Sequence, residues 1–187
     1  MIKYEELYKI VEKRLSEKRF NHSRSVVKRA LEYAEIYDVD KETVKLCAIA
    51  HDIAKEISFQ ELTDYISKYN IKFDEIEKIN KNLFHSKVGA EICKNEFGFT
   101  EDMVNAVRYH TTGRANMSLL EKIIYLADAT EETRNYDDIQ KYVDYVIKDI
   151  DNAMFMVSKW VIEKLSNKGE VIHLNTVECY NFYNKKI

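Results

Sequence analysis

Almost nothing in this chain interrupts a helix. Its 187 residues include no proline and only four glycines, so the two residue types that most often break a helical ladder are nearly missing. Runs of alternating apolar and polar residues, which would mark half-buried strands, are absent as well. What recurs is apolar spacing of three and four. Leu7, Ile10, Val11 and Leu15 mark a helix over Tyr4–Leu15. A turn over Glu17–Phe20 precedes a second helix, about Asn21–Tyr37, with Val26, Val27, Ala30, Leu31, Ala34 and Ile36 on its buried side. The expected fold is all-α: one helical bundle over 1–187, with a core at about 18–150 and a C-terminal helical extension.

Capping residues divide the remainder. Asp40 starts a third helix, which is expected to carry the apolar stretch LCAIAHDIAKEI from Leu46 to Ile57. Ser58 with Glu61, and Ser118 with Glu121, are capping boxes that open helices over Ser58–Lys68 and SLLEKIIYLADAT. A short helix follows Asp74, and Asn80–Leu83 is a connection. The next helix spans Phe84–Phe97 and is closed by Gly98, and another runs from Thr100 and Asp102 to about His110. Two longer amphipathic helices are expected at about Asp137–Asp149 and Asp151–Asn167, with Gly169 closing the second. Asn175 with Glu178 marks the terminal helix.

The net charge of −3 provides no global basic field, so nucleic acid is not an expected partner and any polyanion must be bound locally. The 13 tyrosines lack an interleaved basic stripe and read as amphipathic residues at the core edge. Cys47, Cys93 and Cys179 form no CxxC pair, and no apolar run approaches bilayer length. Reduced thiols and a cytoplasmic protein without membrane contact are therefore expected.

Chemistry concentrates in the histidines, of which there are only five. His22, His51, His85 and His110 sit near helix ends in apolar company, and Asp52 and Asp128 are carboxylates in equally apolar surroundings. Any one of these alone reads as a satisfied polar residue of the core. Six together, in a chain so poor in histidine, point to inward-facing metal ligands. Imidazole with carboxylate and no thiolate suits iron, manganese, cobalt or zinc. Six ligands exceed what one catalytic ion needs if water must also bind. Two ions sharing a bridging carboxylate are expected, and Asp52, beside His51, is the natural bridge. Such a pair keeps net positive charge, attracts anions and suits in-line phosphoryl displacement. His173 is left over and reads as a structural residue of the tail.

The segments RFNHSRSV, AIAHDIAKE, LFHSKVGAE, VRYHTTGR, MSLLEKIIYLAD and IHLNTVECYN together resemble the HD-domain metal-dependent phosphohydrolases. Among these the chain is most similar to the YqeK-type symmetrical bis(5′-nucleosyl)-tetraphosphatases. The HD dipeptide says little by itself; HTTGR followed by EKIIYLAD at this spacing makes the resemblance specific. It implies a di-iron centre and hydrolysis of diadenosine tetraphosphate to two ADP. It also implies that His22, His51, Asp52 and Asp128 hold one ion, and that Asp52, His85 and His110 hold the other. After Asp128 the family usually continues with an aromatic residue, isoleucine, glutamate and proline ahead of an arginine. This chain reads ATEETR, which keeps Glu131 and Arg134 but has Glu132 in place of the proline, and Leu174 stands where proline is usual near the C-terminus.

Around the ligands, Lys55 comes one helical turn after Asp52, where its ammonium can meet phosphate oxygens. Arg19 precedes His22 by one turn, and Thr111, Thr112 and Arg114 come directly after His110 as hydroxyls and a guanidinium suited to phosphate. Arg134 joins this substrate-binding set through the resemblance. Asp52 and Lys55 are the expected catalytic residues: activated water attacks a phosphorus while cations neutralise its oxygens. The alternatives are a broader nucleotide or cyclic-dinucleotide phosphohydrolase, a helical di-iron oxygenase, and a non-enzymatic nucleotide-sensing or ribosome-associated module. A dinucleoside polyphosphate or another nucleotide is the expected substrate, and the chain is expected to be a monomer or a homodimer.

Overall fold

The third helix is apolar on nearly every side, and four other helices pack about it. The computed structural model describes residues 1–134 and 138–186. It contains α1 (Tyr4–Arg14), α2 (Glu17–Tyr37), α3 (Lys41–Ala50), α4 (Phe59–Tyr69) and α5 (Glu75–Ile79). A 3₁₀ turn (Lys81–Leu83) leads into α6 (Phe84–Phe97), followed by α7 (Glu101–Arg108) and α8 (Leu119–Thr130). The chain then forms α9 (Ile139–Lys148), α10 (Ile150–Asn167) and α11 (Leu174–Asn184). No strand occurs among the described residues, as the all-α expectation requires. Nor is any described helix long and apolar enough to cross a membrane.

In α3, Val44, Leu46, Cys47, Ala48, Ile49 and Ala50 are all buried. A helix with apolar residues on all faces must be enclosed, and α1, α2, α7 and α8 enclose this one. Each fully buried Val, Leu or Ile side chain contributes roughly 1.5–3 kcal/mol relative to exposure. The apolar core continues from Leu7 on α1 to Tyr183 on α11, and α10 joins α8, α9 and α11. Because α3 is enclosed by its neighbours, the residues just past its C-terminus emerge at the centre of the molecule. Those residues are His51 and Asp52, both buried.

Several boundaries depart from the sequence reading. The second helix starts at Glu17, with no turn before Asn21, because Ser16 caps it by accepting from the Arg19 amide. Glu56 secures that cap, accepting from the Ser16 amide at 2.6 Å and from its hydroxyl at 2.8 Å. Tyr33 takes a buried place on this helix, whereas Ile36 is exposed. The third helix stops at Ala50, and residues 51–56 continue as tight turns with Ile53 N bonded to Ala50 O and Lys55 N to Asp52 O. His110 lies beyond the end of α7, not on it. The terminal helix is capped by His173, whose Nδ1 accepts from the Asn175 amide, in place of the expected Asn175 and Glu178 pair. Asp137, the expected start of the helix before α10, lies outside the described residues. The capping boxes at Ser58 and Ser118 and the Gly98 stop form as read.

Candidate metal centre

Four imidazoles reach one place from four separate elements, and each is oriented through its Nδ1. His51 Nδ1 lies 2.7 Å from the Ala48 carbonyl, His85 Nδ1 2.7 Å from Asn82 O, and His110 Nδ1 2.7 Å from Val107 O. A carbonyl only accepts, so these Nδ1 atoms carry the proton and the Nε2 lone pairs face inward. For His51 and His110 the acceptor belongs to the last turn of the preceding helix, whose carbonyls lack intrahelical partners. The i→i−3 geometry is therefore a by-product of ending a helix just before the histidine. His22 is held differently: its Nδ1 is 3.0 Å from Glu131 Oε1, a fully buried carboxylate at the end of α8.

The inward-facing atoms form two groups joined by one side chain. His22 Nε2 lies 3.1 Å from Asp128 Oδ1 and 3.3 Å from His51 Nε2. Asp52 Oδ2 approaches the same pair, 3.4 Å from His51 Nε2 and 3.7 Å from His22 Nε2. The other oxygen, Asp52 Oδ1, faces His85 Nε2 at 3.2 Å and His110 Nε2 at 3.6 Å, and those two nitrogens are 3.1 Å apart. The six residues expected from sequence thus converge, and the two oxygens of Asp52 serve different groups. Lone pairs of neutral imidazoles and carboxylate oxygens repel at such distances unless a cation lies among them, so the donor set fits metal ions.

The protonation states agree with that chemistry. Burial keeps His85 neutral, pushing its pKa down to about 4 against the pull of Asp52. Burial opposes charge on His22 too, but hydrogen bonds to Asp128 and Glu131 prevail and raise it to about 8. A proton shared by His22 Nε2 and Asp128 is the simplest cation this group can hold. Burial would raise Asp52, yet the imidazoles of His51, His110 and His85 keep its carboxyl well below the usual range. Arg134 and His22 similarly outweigh burial at Asp128 and lower it.

Three cations stand at the rim. Arg19 Nη1 is 2.9 Å from Asp52 Oδ2, and Arg134 donates to the Asp128 carboxylate and to its carbonyl. Lys55 Nζ lies 3.2 and 3.4 Å from the ring nitrogens of His85. With the Thr111 hydroxyl, 3.1 Å from His110 Nε2 and 3.3 Å from His85 Nε2, these are the expected substrate contacts that the fold brings to the six converging residues. A cleft of about 450 Å³ opens over His22, lined by Arg19, Arg134, Lys18 and Glu56.

Two expected contacts are placed elsewhere. Arg114 directs its fork at Glu121, Nε to Oε1 at 2.8 Å and Nη2 to Oε2 at 2.7 Å, with Nη1 on Ala115 O. The same Glu121 closes the Ser118 capping box and is fully buried. Thr112 donates to Gly113 O, and its own carbonyl accepts from Thr176 on α11. Both residues join the HTTGR turn to the fold, and neither hydroxyl nor guanidinium meets the ligand groups. Arg114→Ala should therefore lower the melting temperature, costing about 1–3 kcal/mol by leaving Glu121 without its bidentate partner. Its KM should stay within about twofold of wild type; a KM rise of about tenfold at unchanged stability would return Arg114 to the substrate set. His173 also has a structural place, with Nε2 2.9 Å from Asp74 Oδ2, tying α11 to the start of α5.

Glu131, to which the sequence reading gave no role, is brought against His22 by the fold. It also accepts from Thr133 N at 2.6 Å and Thr133 Oγ1 at 2.7 Å. Two signals pointed to it: its place in the family pattern and its position three residues after Asp128, where a last helical turn brings it back beside that carboxylate.

The HD-domain family model matches residues 19–133, the stretch that contains all six converging residues. A curated relative from Staphylococcus aureus, a symmetrical bis(5′-nucleosyl)-tetraphosphatase, is 32% identical over 184 residues, covering 96% of this chain and 94% of its own. The Bacillus subtilis protein of the same name is 32% identical over 179 residues, 95% and 96% of the two chains. A solved structure from Clostridium acetobutylicum, described as a predicted HD superfamily hydrolase involved in NAD metabolism, superposes with a TM-score of 0.93 at 31% identity. That match covers 100% of both chains.

Proposed function

The chain belongs to the HD-domain family and, within it, to the symmetrical bis(5′-nucleosyl)-tetraphosphatases, and from this we infer that its ligand array is the reaction centre. The protein is a metal-dependent hydrolase that cuts a dinucleoside tetraphosphate, diadenosine tetraphosphate above all, into two nucleoside diphosphates. His22, His51, Asp128 and Asp52 Oδ2 would hold one ion, and His85, His110 and Asp52 Oδ1 the other. The observation that carries this reading is Asp52, whose two oxygens face two separate imidazole pairs. Iron is the metal first expected, with manganese, cobalt and zinc compatible with the same donors. Bound divalent ions would supply an acidified water near neutral pH and positive charge at the phosphoryl oxygens.

The protein's own groups prepare the rest. Asp52, Asp128 and Glu131 are balanced by Arg19, Lys55 and Arg134, so the shell is close to neutral once the His22 proton is displaced. Two divalent ions then leave about four positive charges by counting, which matches the four ionised phosphoryl groups of the substrate. Arg19 and Arg134 donate to the carboxylates of Asp52 and Asp128, and Lys55 stands against the His85 ring, so all three cations lie where phosphate oxygens would meet the array. Glu131 and the three backbone carbonyls keep each imidazole in the tautomer that ligation needs. ADP leaves without strong proton assistance because its terminal phosphate is already a stable anion.

Anaerobic purification, metal analysis and product identification test this reading. Two metal ions per chain and two ADP from diadenosine tetraphosphate are expected. ATP plus AMP would overturn the symmetrical cut, and one ion per chain would overturn the paired site. Glu131→Gln should weaken metal affinity by about 10–100-fold, since an amide orients His22 without its charge. Metal retention equal to wild type under chelator titration would remove Glu131 from the site.

A further inference from the structure

Two recesses other than the charged cleft reach the ligand array, and they are built alike. The first, about 140 Å³, includes His110, Thr111 and Asp128 at one side. Its wall is Tyr125, Ala129, Val157, Val161 and the Trp160 indole, and its cations are Arg134 and Lys164, the latter with Nζ 4.6 Å from the indole centroid. The second, about 150 Å³, includes His85. Its wall is Ala54, Ile57, Leu62 and the Phe84 ring, and its cations are Lys55 and Lys81. The two share no lining residue. Each therefore combines residues of the array, an apolar wall that includes aromatic side chains (Tyr125 and Trp160 in the first, Phe84 in the second), and two positive side chains.

That combination matches one half of the substrate. A purine base offers a flat apolar face that stacks on an aromatic ring, and the adjoining phosphates call for cations next to the metal ligands. The volumes suit a base with its ribose at the mouth, and they are too small for a whole dinucleotide. The cleft over His22, lined by Lys18, Arg19, Glu56, Glu131 and Arg134, has no such wall.

We propose that the two recesses are base-binding half-sites, each seating one nucleoside diphosphate half, so that the tetraphosphate crosses the array between them. The proposal rests on the reading of the chain as a symmetrical hydrolase and supplies what that reading lacks, a reason for the central cut. A substrate held at both ends by equivalent halves presents its middle anhydride to the array.

Titration calorimetry of ADP onto the metal-loaded protein reads the half-sites without turnover. Wild type should bind two ADP per chain. Val161→Phe or Leu62→Phe, each filling one recess, should leave one, and the double variant none. Lys164→Ala and Lys81→Ala change exposed residues and keep the test alive if a filling variant fails to fold. Each should raise the ADP Kd at one of the two sites by about 3- to 10-fold. One ADP per chain in wild type, or two at unchanged affinity in every folded variant, overturns the half-sites. Product analysis keeps the two readings separable. If diadenosine tetraphosphate is not cut to two ADP while the ADP stoichiometry falls as described, the activity is wrong and the half-sites stand.

Discussion

If the array holds two ions as proposed, Asp52→Asn should strip the protein of both and reduce turnover of diadenosine tetraphosphate by at least about 10³-fold, on the order of 4 kcal/mol in the activation barrier. The replacement keeps the side-chain volume at a position that is only 3% exposed, so packing is preserved and the loss is chemical. Asp52 Oδ1 and Oδ2 each face a separate imidazole pair, and an amide supplies one weak oxygen ligand and an NH₂ group that faces the second pair with protons. Metal analysis, kcat and a circular dichroism melt should be read together. A folded variant that keeps two ions and activity within about tenfold of wild type would show that Asp52 does not join the groups.

Gly113→Ala should be the most damaging small change outside the ligands. Gly113 sits at φ +64, in the left-handed region, where a side chain costs roughly 1–2 kcal/mol. An added Cβ would also come within 2.8 Å of Cys179 Sγ on α11, and overpacking of that kind typically costs a further ~1–3 kcal/mol. A loss of about 2–5 kcal/mol corresponds to a fall in melting temperature of roughly 5–15 °C for a chain of this size. Adding Cys179→Ala should recover the steric part and leave the backbone part, so the two changes should be non-additive. A single variant that melts within about 1 °C of wild type would contradict the contact. The position matters for chemistry because Gly113 closes the turn that carries His110 and Thr111.

Local signals were readable wherever one residue acts on its own neighbours. Asp40, Ser58, Thr100 and Ser118 cap helices because a short polar side chain three residues before a free amide satisfies it with no outside help. Gly98 stops α6 for the same kind of reason, at φ 71. Ser16 was harder to read, because its cap is secured by Glu56, forty residues away in the chain. His173 replaced Asn175 as a cap because its ring is also held by Asp74. Ile36 faces solvent although its spacing is apolar, because the buried side of α2 at that point is taken by Tyr33 and Ala34.

The residue types and spacing were enough to imply an all-α chain, a ligand set and its family. Six histidines and aspartates in apolar company have few physical excuses other than a shared cation. Partner choice between side chains more than one helical turn apart was decided only by the tertiary structure. Arg114 and Arg134 read alike as candidate phosphate contacts, yet the fold presents Glu121 to one and Asp128 to the other. Glu131 reads as a helix-end carboxylate until α2 brings His22 against it. Periodicity records which face of a helix is buried. It carries no information about which charged group the neighbouring helix places opposite, and electrostatic and hydrogen-bond energies depend on that distance.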